Sequence, residues 1–251
     1  MAKSAGRSAR DSVWLREKPR RGGRAGQPSG LDRERITAVS VRLLDAEGLA
    51  RFSMRRLAGE LNVTAMSLYW YVDTKDDLLE LALDAAFGEL RLPAEDDTAD
   101  WRGQLRALAA EYRALLVRHP WLSRLAGQYL NVGPHALDFS RSAQRILGGS
   151  GLPAHRVMSA ISAVFQFVYG YGTTEAQFMS RIADSGLTPD DYQEQALDSV
   201  RQDPGTAQFL QDSGPFMDAR GQGTVAELMD RDFTFALDLL IAGIEAMVER
   251  G

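Results

Sequence analysis

The chain has 251 residues, 45% of them hydrophobic and 25% charged, with a formal net charge of −5. That length can bury a sizeable core, and both fractions are ordinary for a globular protein. The absence of cysteine excludes a disulfide scaffold, Cys-ligated zinc, iron–sulfur clusters and a thiol nucleophile, and it fits a reducing cytoplasm. No apolar run approaches the ~18 residues of a membrane span, and the basic N-terminus lacks the apolar core of a signal peptide. The expectation is a soluble, unexported cytoplasmic protein with no membrane partner. A net charge of −5 taken alone argues against nucleic acid, but the charge is unevenly placed. Residues 1–35 carry ten Lys/Arg and four Asp/Glu, residues 36–76 carry five of each, and residues 77–251 carry 14 and 25. A basic end on an acidic body suits a partner that is a polyanion.

Residues 1–30 are rich in Gly, Ser, Pro and Arg with little periodicity, which predicts a basic, mostly disordered arm. Two readings stand for it: a solubilising tail, or an arm that lies along phosphates or enters a minor groove. After Gly30 the pattern becomes helical. Ile36, Val39, Val41, Leu43 and Leu44 recur at helical spacing behind a cap at Asp32, and Gly48 ends that helix. Ser53 caps a short helix from Met54 to Leu61, with Leu57, Ala58 and Leu61 facing inward. Asn62 tolerates the left-handed conformation of a tight turn, and Thr64 caps a second short helix reaching about Tyr71. Lys75 opens a longer helix through Leu78, Leu79, Leu81, Leu83, Ala86 and Leu90, ending at Pro93.

Trp101 to His119 is predicted helical, and Pro120 closes it. Further helices are expected over 121–130, 135–147, 154–180, 190–212 and 224–249. Pro189, Pro204, Gly205, Gly214, Pro215, Gly221 and Gly223 predict a mobile connection between about 181 and 223. There is no β-alternation and no internal repeat. The fold class is all-α.

Met54 to Tyr71 has the shape of a helix-turn-helix, in which the second helix is left exposed on one side. Its exposed positions are Ala65, Met66, Ser67, Tyr69 and Trp70. Small side chains let the backbone approach a groove, Ser67 can bond bases or phosphate, and Ala65 or Met66 can touch a thymine methyl. Tyr69 and Trp70 suit phosphate anchoring at the groove edge. The plainer reading is an ordinary helical corner with a core aromatic cluster.

The run Arg35-Ile36-Thr37, Leu43-Leu44-Asp45, Glu47-Gly48-Leu49, Ser53-Met54-Arg55-Arg56-Leu57-Ala58, Leu61-Asn62-Val63, Ser67-Leu68-Tyr69-Trp70-Tyr71-Val72 and Lys75-Asp76-Asp77-Leu78-Leu79 closely resembles the DNA-binding domain of the tetracycline-repressor (TetR) family. The match runs for about 47 residues in order without gaps. It implies a homodimeric, ligand-responsive transcription factor, usually a repressor. Matching positions place DNA contacts on Ser53 and Arg55, on Ala65, Met66, Ser67, Tyr69, Trp70 and Tyr71 of the recognition helix, and on Lys75. Arg55 suits a bidentate contact to guanine, and Lys75 a phosphate clamp at its helix N-terminus. Tyr71 departs from the histidine often found there in tetracycline repressors. Ala65 and Met66 replace their Gln-Pro pair, so their operator does not transfer.

The resemblance implies three units: an arm over 1–30, a helix-turn-helix domain over 31–77, and a ligand-binding and dimerisation domain over 78–251. Beyond the first four helices, Trp101 to His119 and Ala160 to Gly170 are similar to the C-terminal domain of tetracycline repressors. That similarity implies an inducer pocket with Leu108 and Tyr112 on one wall and Gln166, Tyr169 and Glu175 on another. Gln166 and Glu175 are polar residues in an apolar helical segment, and the alternative for both is the solvent face. Phe165, Phe167, Tyr169, Tyr171 and Phe178 make an aromatic stripe, for at least half of which core or dimer packing is the simpler role. The drug-contacting histidines of tetracycline repressors are replaced here, with Gln166 at one such place, so no metal and no cofactor is expected. His119 reads as a helix C-terminal cation. Val225, Leu228, Met229, Phe233, Ala236, Leu239, Leu240, Ala242, Gly243 and Met247 form a broad apolar stripe. Paired with 154–172, it resembles half of a two-fold four-helix interface.

The function expected is therefore a regulator of transcription, a repressor that binds a palindromic operator as a homodimer and is released by a small hydrophobic molecule. No dinucleotide fingerprint, phosphate loop, His-Glu-x-x-His or Ser/His/Asp signal supports an enzyme. A helical protein-interaction module with a purely structural helix-turn-helix remains the other alternative.

Overall fold

The computed structural model describes residues 12–16, 31–95 and 100–250. Among the described residues there are eleven helices and no strand, as the periodicity predicts. The first is α1 (Arg33–Glu47), opened by the Asp32 carboxylate, which accepts from Arg35 N. The turn after it is made by Gly48 at φ +74°. Ser53 caps α2 (Met54–Glu60), and Thr64 caps α3 (Ala65–Leu68). Between them Asn62 takes φ +55°, the left-handed turn its side chain tolerates. α3 ends three residues earlier than the pattern predicts, although Tyr71 and Val72 still donate backbone hydrogen bonds to Leu68 O.

α4 (Lys75–Phe87) starts with a capping box in which Thr74 and Asp77 each satisfy the other's backbone N–H. It stops at Phe87 and does not continue to Leu90. Most of its surface is buried, because α1 packs on one side of it and two later helices, α6 (Leu122–Ala126) and α7 (Pro134–Gly148), on the other. The division expected at residue 77 falls in the first turn of this helix.

α5 (Trp101–Arg118) crosses α8 (Ala154–Ser185) in the most extensive helix contact of the fold. The crossing is close at Gly172, where a Cβ would lie 3.0 Å from Leu116 Cδ1 and 3.4 Å from the Arg113 carbonyl. α9 (Pro189–Gln202), α10 (Pro204–Arg220) and α11 (Val225–Glu249) complete the chain.

Two stretches add to what the sequence predicts. The segment 181–223 is mostly helical. Pro189 and Pro204 sit in the first turns of α9 and α10, where no N–H is needed, and Thr188 and Asp203 cap those turns. The same residues therefore start helices that composition alone reads as breaks. In the N-terminal arm, Ser12–Arg16 is an ordered turn seated on α4. The rest of the arm lies outside the described residues. No helix among the described residues is long and apolar enough to cross a membrane.

Candidate functional site

α2 and α3 present one exposed face. Met66 is 71% exposed, Trp70 57% and Tyr69 39%, while Leu68 on the opposite side of α3 is fully buried. Large apolar surface costs free energy in water, about 25 cal/mol per Å². Side chains of this size left in solvent beside a fully packed Leu68 mark a contact surface. Ala65 and Ser67 are half-buried, and the Ser67 and Thr64 hydroxyls pair at 2.9 Å. Ser53 is exposed but already accepts from Arg56 N. The adjacent arginines differ in kind. Arg56 is held by Glu47 at 2.6 Å and Glu60 at 3.0 Å, whereas Arg55 makes no ion pair among the described residues. Arg55 is thus a cation left available on that edge among the described residues.

Two of the expected contact residues have structural partners. Tyr71 donates its hydroxyl to Leu31 O at 2.7 Å, which ties the end of the recognition segment to the start of α1. Lys75 donates to Phe52 O at 2.7 Å and lies over the Phe52 ring. Its charge is at the helix N-terminus, but one of its donors is engaged by the protein.

A cavity of about 300 Å³ opens between α5, α7 and α8. Four rings form its apolar side: Tyr112 and Phe139 are 5.0 Å apart, Phe139 and Phe165 5.0 Å, and Phe87 stacks on Tyr112 at 6.0 Å. Gln166, Ser162 and Ser140 supply polar groups, and no charged side chain lines it among the described residues. Burial pushes the Tyr112 hydroxyl far above its ordinary pKa, so it stays a neutral donor at any physiological pH. The Tyr169 hydroxyl donates to Ser123 O at 2.6 Å, joining α8 to α6.

Tyr112, Gln166 and Tyr169 therefore meet at one cavity, as the sequence predicts, but Leu108 and Glu175 do not. Leu108 is fully buried in the core along α5. Glu175 grips Arg113 with both oxygens, at 2.6 and 2.8 Å, while Asp230 takes a third donor of the same guanidinium. That guanidinium lies over the rings of Tyr171 and Phe233, and Arg113, Glu175 and Asp230 line a separate cavity of about 460 Å³ at the α5–α8–α11 junction. The aromatic stripe divides accordingly. Phe165 and Tyr169 line the cavity, Phe167 and Tyr171 pack on Phe233, and Phe178 packs on Tyr192.

His119 caps the C-terminal end of α5, as the sequence predicts, and is in addition a buried bridge. Its Nδ1 is 2.6 Å from Asp45 on α1 and its Nε2 is 3.1 Å from Glu89 beyond α4. Burial alone would lower its pKa, but the two carboxylates outweigh burial and raise it. Trp121 Nε1 donates to the same Asp45 oxygen at 2.6 Å. On α4, Asp84 accepts from Ala136 N at 3.0 Å in the first turn of α7. Asp84 does not stand out in the sequence, because a buried carboxylate is spelled like an exposed one.

A second apolar cavity, about 390 Å³, lies between α8 and α11 and is lined by Ala160, Ala163, Leu239, Gly243 and Met247. Of the stripe read from the sequence, Val225, Leu228 and Phe233 face this chain's own core, while Leu239 and Met247 face outward.

A family model described as bacterial regulatory proteins of the tetR family matches residues 36–82. A second, described as the tetracyclin repressor-like C-terminal domain, matches residues 92–248. The chain belongs to the TetR family. An HTH-type transcriptional regulator of Saccharopolyspora erythraea is 40% identical over 173 residues, 69% of this chain and 71% of that one. The HTH-type transcriptional repressor DrrR1 of Streptomyces coeruleorubidus is 30% identical over 244 residues, 97% of this chain and 88% of that one. Among solved structures, the TetR-family protein ActR of Streptomyces coelicolor in complex with actinorhodin aligns with a TM-score of 0.69 and 25% identity, covering 87% of this chain and 97% of that chain. This TetR-family chain is accordingly a DNA-binding transcription regulator and not an enzyme.

Proposed function

We propose that the chain is a homodimeric repressor that leaves its operator when a small, hydrophobic molecule fills the aromatic cavity. The observation that carries the DNA half of this reading is the exposure of Met66, Tyr69 and Trp70 beside Arg55, which makes no ion pair among the described residues. Ser53, Arg55, Ala65, Met66, Ser67, Tyr69, Trp70, Tyr71 and Lys75 make up the DNA face. Of these, Tyr71 and Lys75 act as much by fixing the recognition segment as by touching phosphate. Residues 31–77 supply this face, and 78–251 supply the cavity and the dimer contact. The double-stranded operator is near-palindromic, because a two-fold dimer presents two recognition helices to successive major-groove faces.

The inducer is uncharged or weakly charged, since its cavity offers rings, hydroxyls and an amide but no ion among the described residues. Tyr112, Gln166 and Tyr169 contact it, with Phe87, Phe139 and Phe165 as walls. The actinorhodin complex of ActR supports a small-molecule occupant. The second copy packs on the α8–α11 groove, where Leu239 is 58% exposed and Gly243 has open space around it. Release follows because ligand favours a spacing of the two heads that DNA does not.

Selection of duplexes from a random pool, followed by anisotropy with wild type and Arg55→Ala, tests the DNA half. Salt-dependent binding to a palindrome that Arg55→Ala weakens supports it, and no enrichment overturns it. A melting screen of small molecules against wild type and Phe139→Ala tests the cavity. Sedimentation of Leu239→Glu tests the dimer, which the charge should split.

A further inference from the structure

The N-terminal segment Ser12–Arg16 is far from α4 in sequence, yet it is fixed to that helix at three successive levels. Ser12 Oγ donates to Glu80 Oε2 at 2.7 Å, and Val13 N donates to the same oxygen at 3.0 Å. Arg16 pairs with Asp77 and lies 3.6 Å from Asp73, in and before the first turn of α4. Between these ends Trp14 packs against the core. Together with Leu83, Asp84, Asn131 and Ala136 it surrounds a void of about 10 Å³, room for one water.

Asn131 and Ala136 also line the aromatic cavity. The segment therefore touches the outer side of the same wall whose inner side faces the cavity. Asp84, under Trp14, caps α7, which carries Phe139 into the cavity. At its other end the segment reaches Asp73 and Asp77. Asp73 lies two residues beyond Tyr71, the last residue of the recognition segment. Glu80 and Asp77 are almost fully buried, so their charges are stable only with partners, and the segment supplies donors to both. Arg16 also sets positive charge beside Asp73 and Asp77 at the start of α4.

We propose that Ser12–Arg16 is a clasp: an intramolecular docking segment that holds α4 against the cavity wall and passes movement of that wall to the DNA-reading end of the chain. The clasp rests on the contacts alone. Its part in the response rests on the regulator reading above, and the two are tested separately.

Hydrogen exchange on the full-length protein compares wild type with Trp14→Ala, Arg16→Ala and the mild variant Ser12→Ala. With Trp14→Ala, amides of α4 and of residues 127–133 should exchange roughly tenfold faster, the equivalent of about one lost hydrogen bond in local stability. Arg16→Ala should deprotect the first turn of α4, and Ser12→Ala its centre to a smaller degree. Changes confined to residues 12–16 in all three variants overturn the clasp.

The coupling is tested with a substitution that fills the cavity, Ser162→Trp, in place of a ligand. Its effect on affinity for the selected duplex is measured with and without Trp14→Ala. Ser162→Trp should weaken DNA binding with Trp14 present and do so several-fold less without it. Equal losses in both backgrounds, or no loss in either, overturn the coupling. If wild type binds no duplex, the regulator reading fails while the exchange result still decides the clasp.

Discussion

His119 Nδ1 sits 2.6 Å from Asp45 Oδ1, so the residue that closes α5 is bonded to the helix that underlies the DNA-reading unit. Glu89 meets the other ring nitrogen, and Arg118 in turn pairs with Glu89 at 2.7 Å. The histidine thus gains two acidic partners on folding, and its pKa rises despite its burial. A raised histidine pKa stabilises the fold fully below the unfolded value, about 6.5, and that contribution fades as pH climbs through the folded value. Melting temperature should therefore decline from about pH 6.5 upward in wild type. His119→Gln should flatten that slope and lower Tm by roughly 2–4 °C at pH 6. Scanning calorimetry across this pH range on both proteins checks it, and parallel curves would discard the bridge as a proton-linked contact.

Asp84 should show the opposite economy of charge. Burial raises its pKa, and backbone donors of Ala136 and His135 only partly offset this. Asp84→Asn keeps an acceptor for α7 and removes the buried charge, so denaturant unfolding should find it near wild type at neutral pH. Asp84→Ala leaves the first turn of α7 without its cap and should cost about 1–2 kcal/mol. Equal losses in the two variants would show that the cap is not the relevant contact.

Gly172 sets how closely α5 and α8 approach. A methyl there already meets Leu116 at 3.0 Å, and a branched side chain has the Arg113 carbonyl to displace as well. Gly172→Val should destabilise by about 1–3 kcal/mol, whereas Gly170→Ala on the same helix, with open space around it, should be neutral or slightly stabilising. Urea midpoints of the two variants distinguish these outcomes.

Arg55 and Arg56 are adjacent but should behave as different residues. Arg55→Ala should weaken binding to the selected duplex by about 1–3 kcal/mol, tenfold or more, with no change in Tm. Arg56→Ala should mainly release Glu47 and Glu60, with a smaller loss in affinity, read by anisotropy alongside melting.

Much of this was legible in the sequence because it is local. The caps at Asp32, Ser53 and Thr64 and the left-handed Asn62 are decided by side chains within three residues, and all four are found where the pattern puts them. What was not legible depends on contacts distant in sequence. The resemblance puts Glu175 in the pocket of Gln166 and Tyr169, and only its pairing with Arg113, 62 positions earlier, places it away from the aromatic cavity. Pro189 and Pro204 mark either breaks or starts, and their caps settle which. His119 carried no mark of its partner Asp45, 74 residues away.

Most of the buried apolar side chains form one cluster, from Ile36 in α1 through α4 to Ile244 in α11, with Ala176, Ile182, Val225 and Leu228 outside it. Heat should therefore melt reader and cavity together in a single cooperative transition. For anyone wishing to redirect such a regulator, the consequence is practical. Cutting the chain after residue 77 would sever α4 at its first turn and strip both fragments of their shared interior. New sequence preference is better introduced by exchanging the solvent-facing side chains between Ala65 and Trp70 on the intact polypeptide than by transplanting a head.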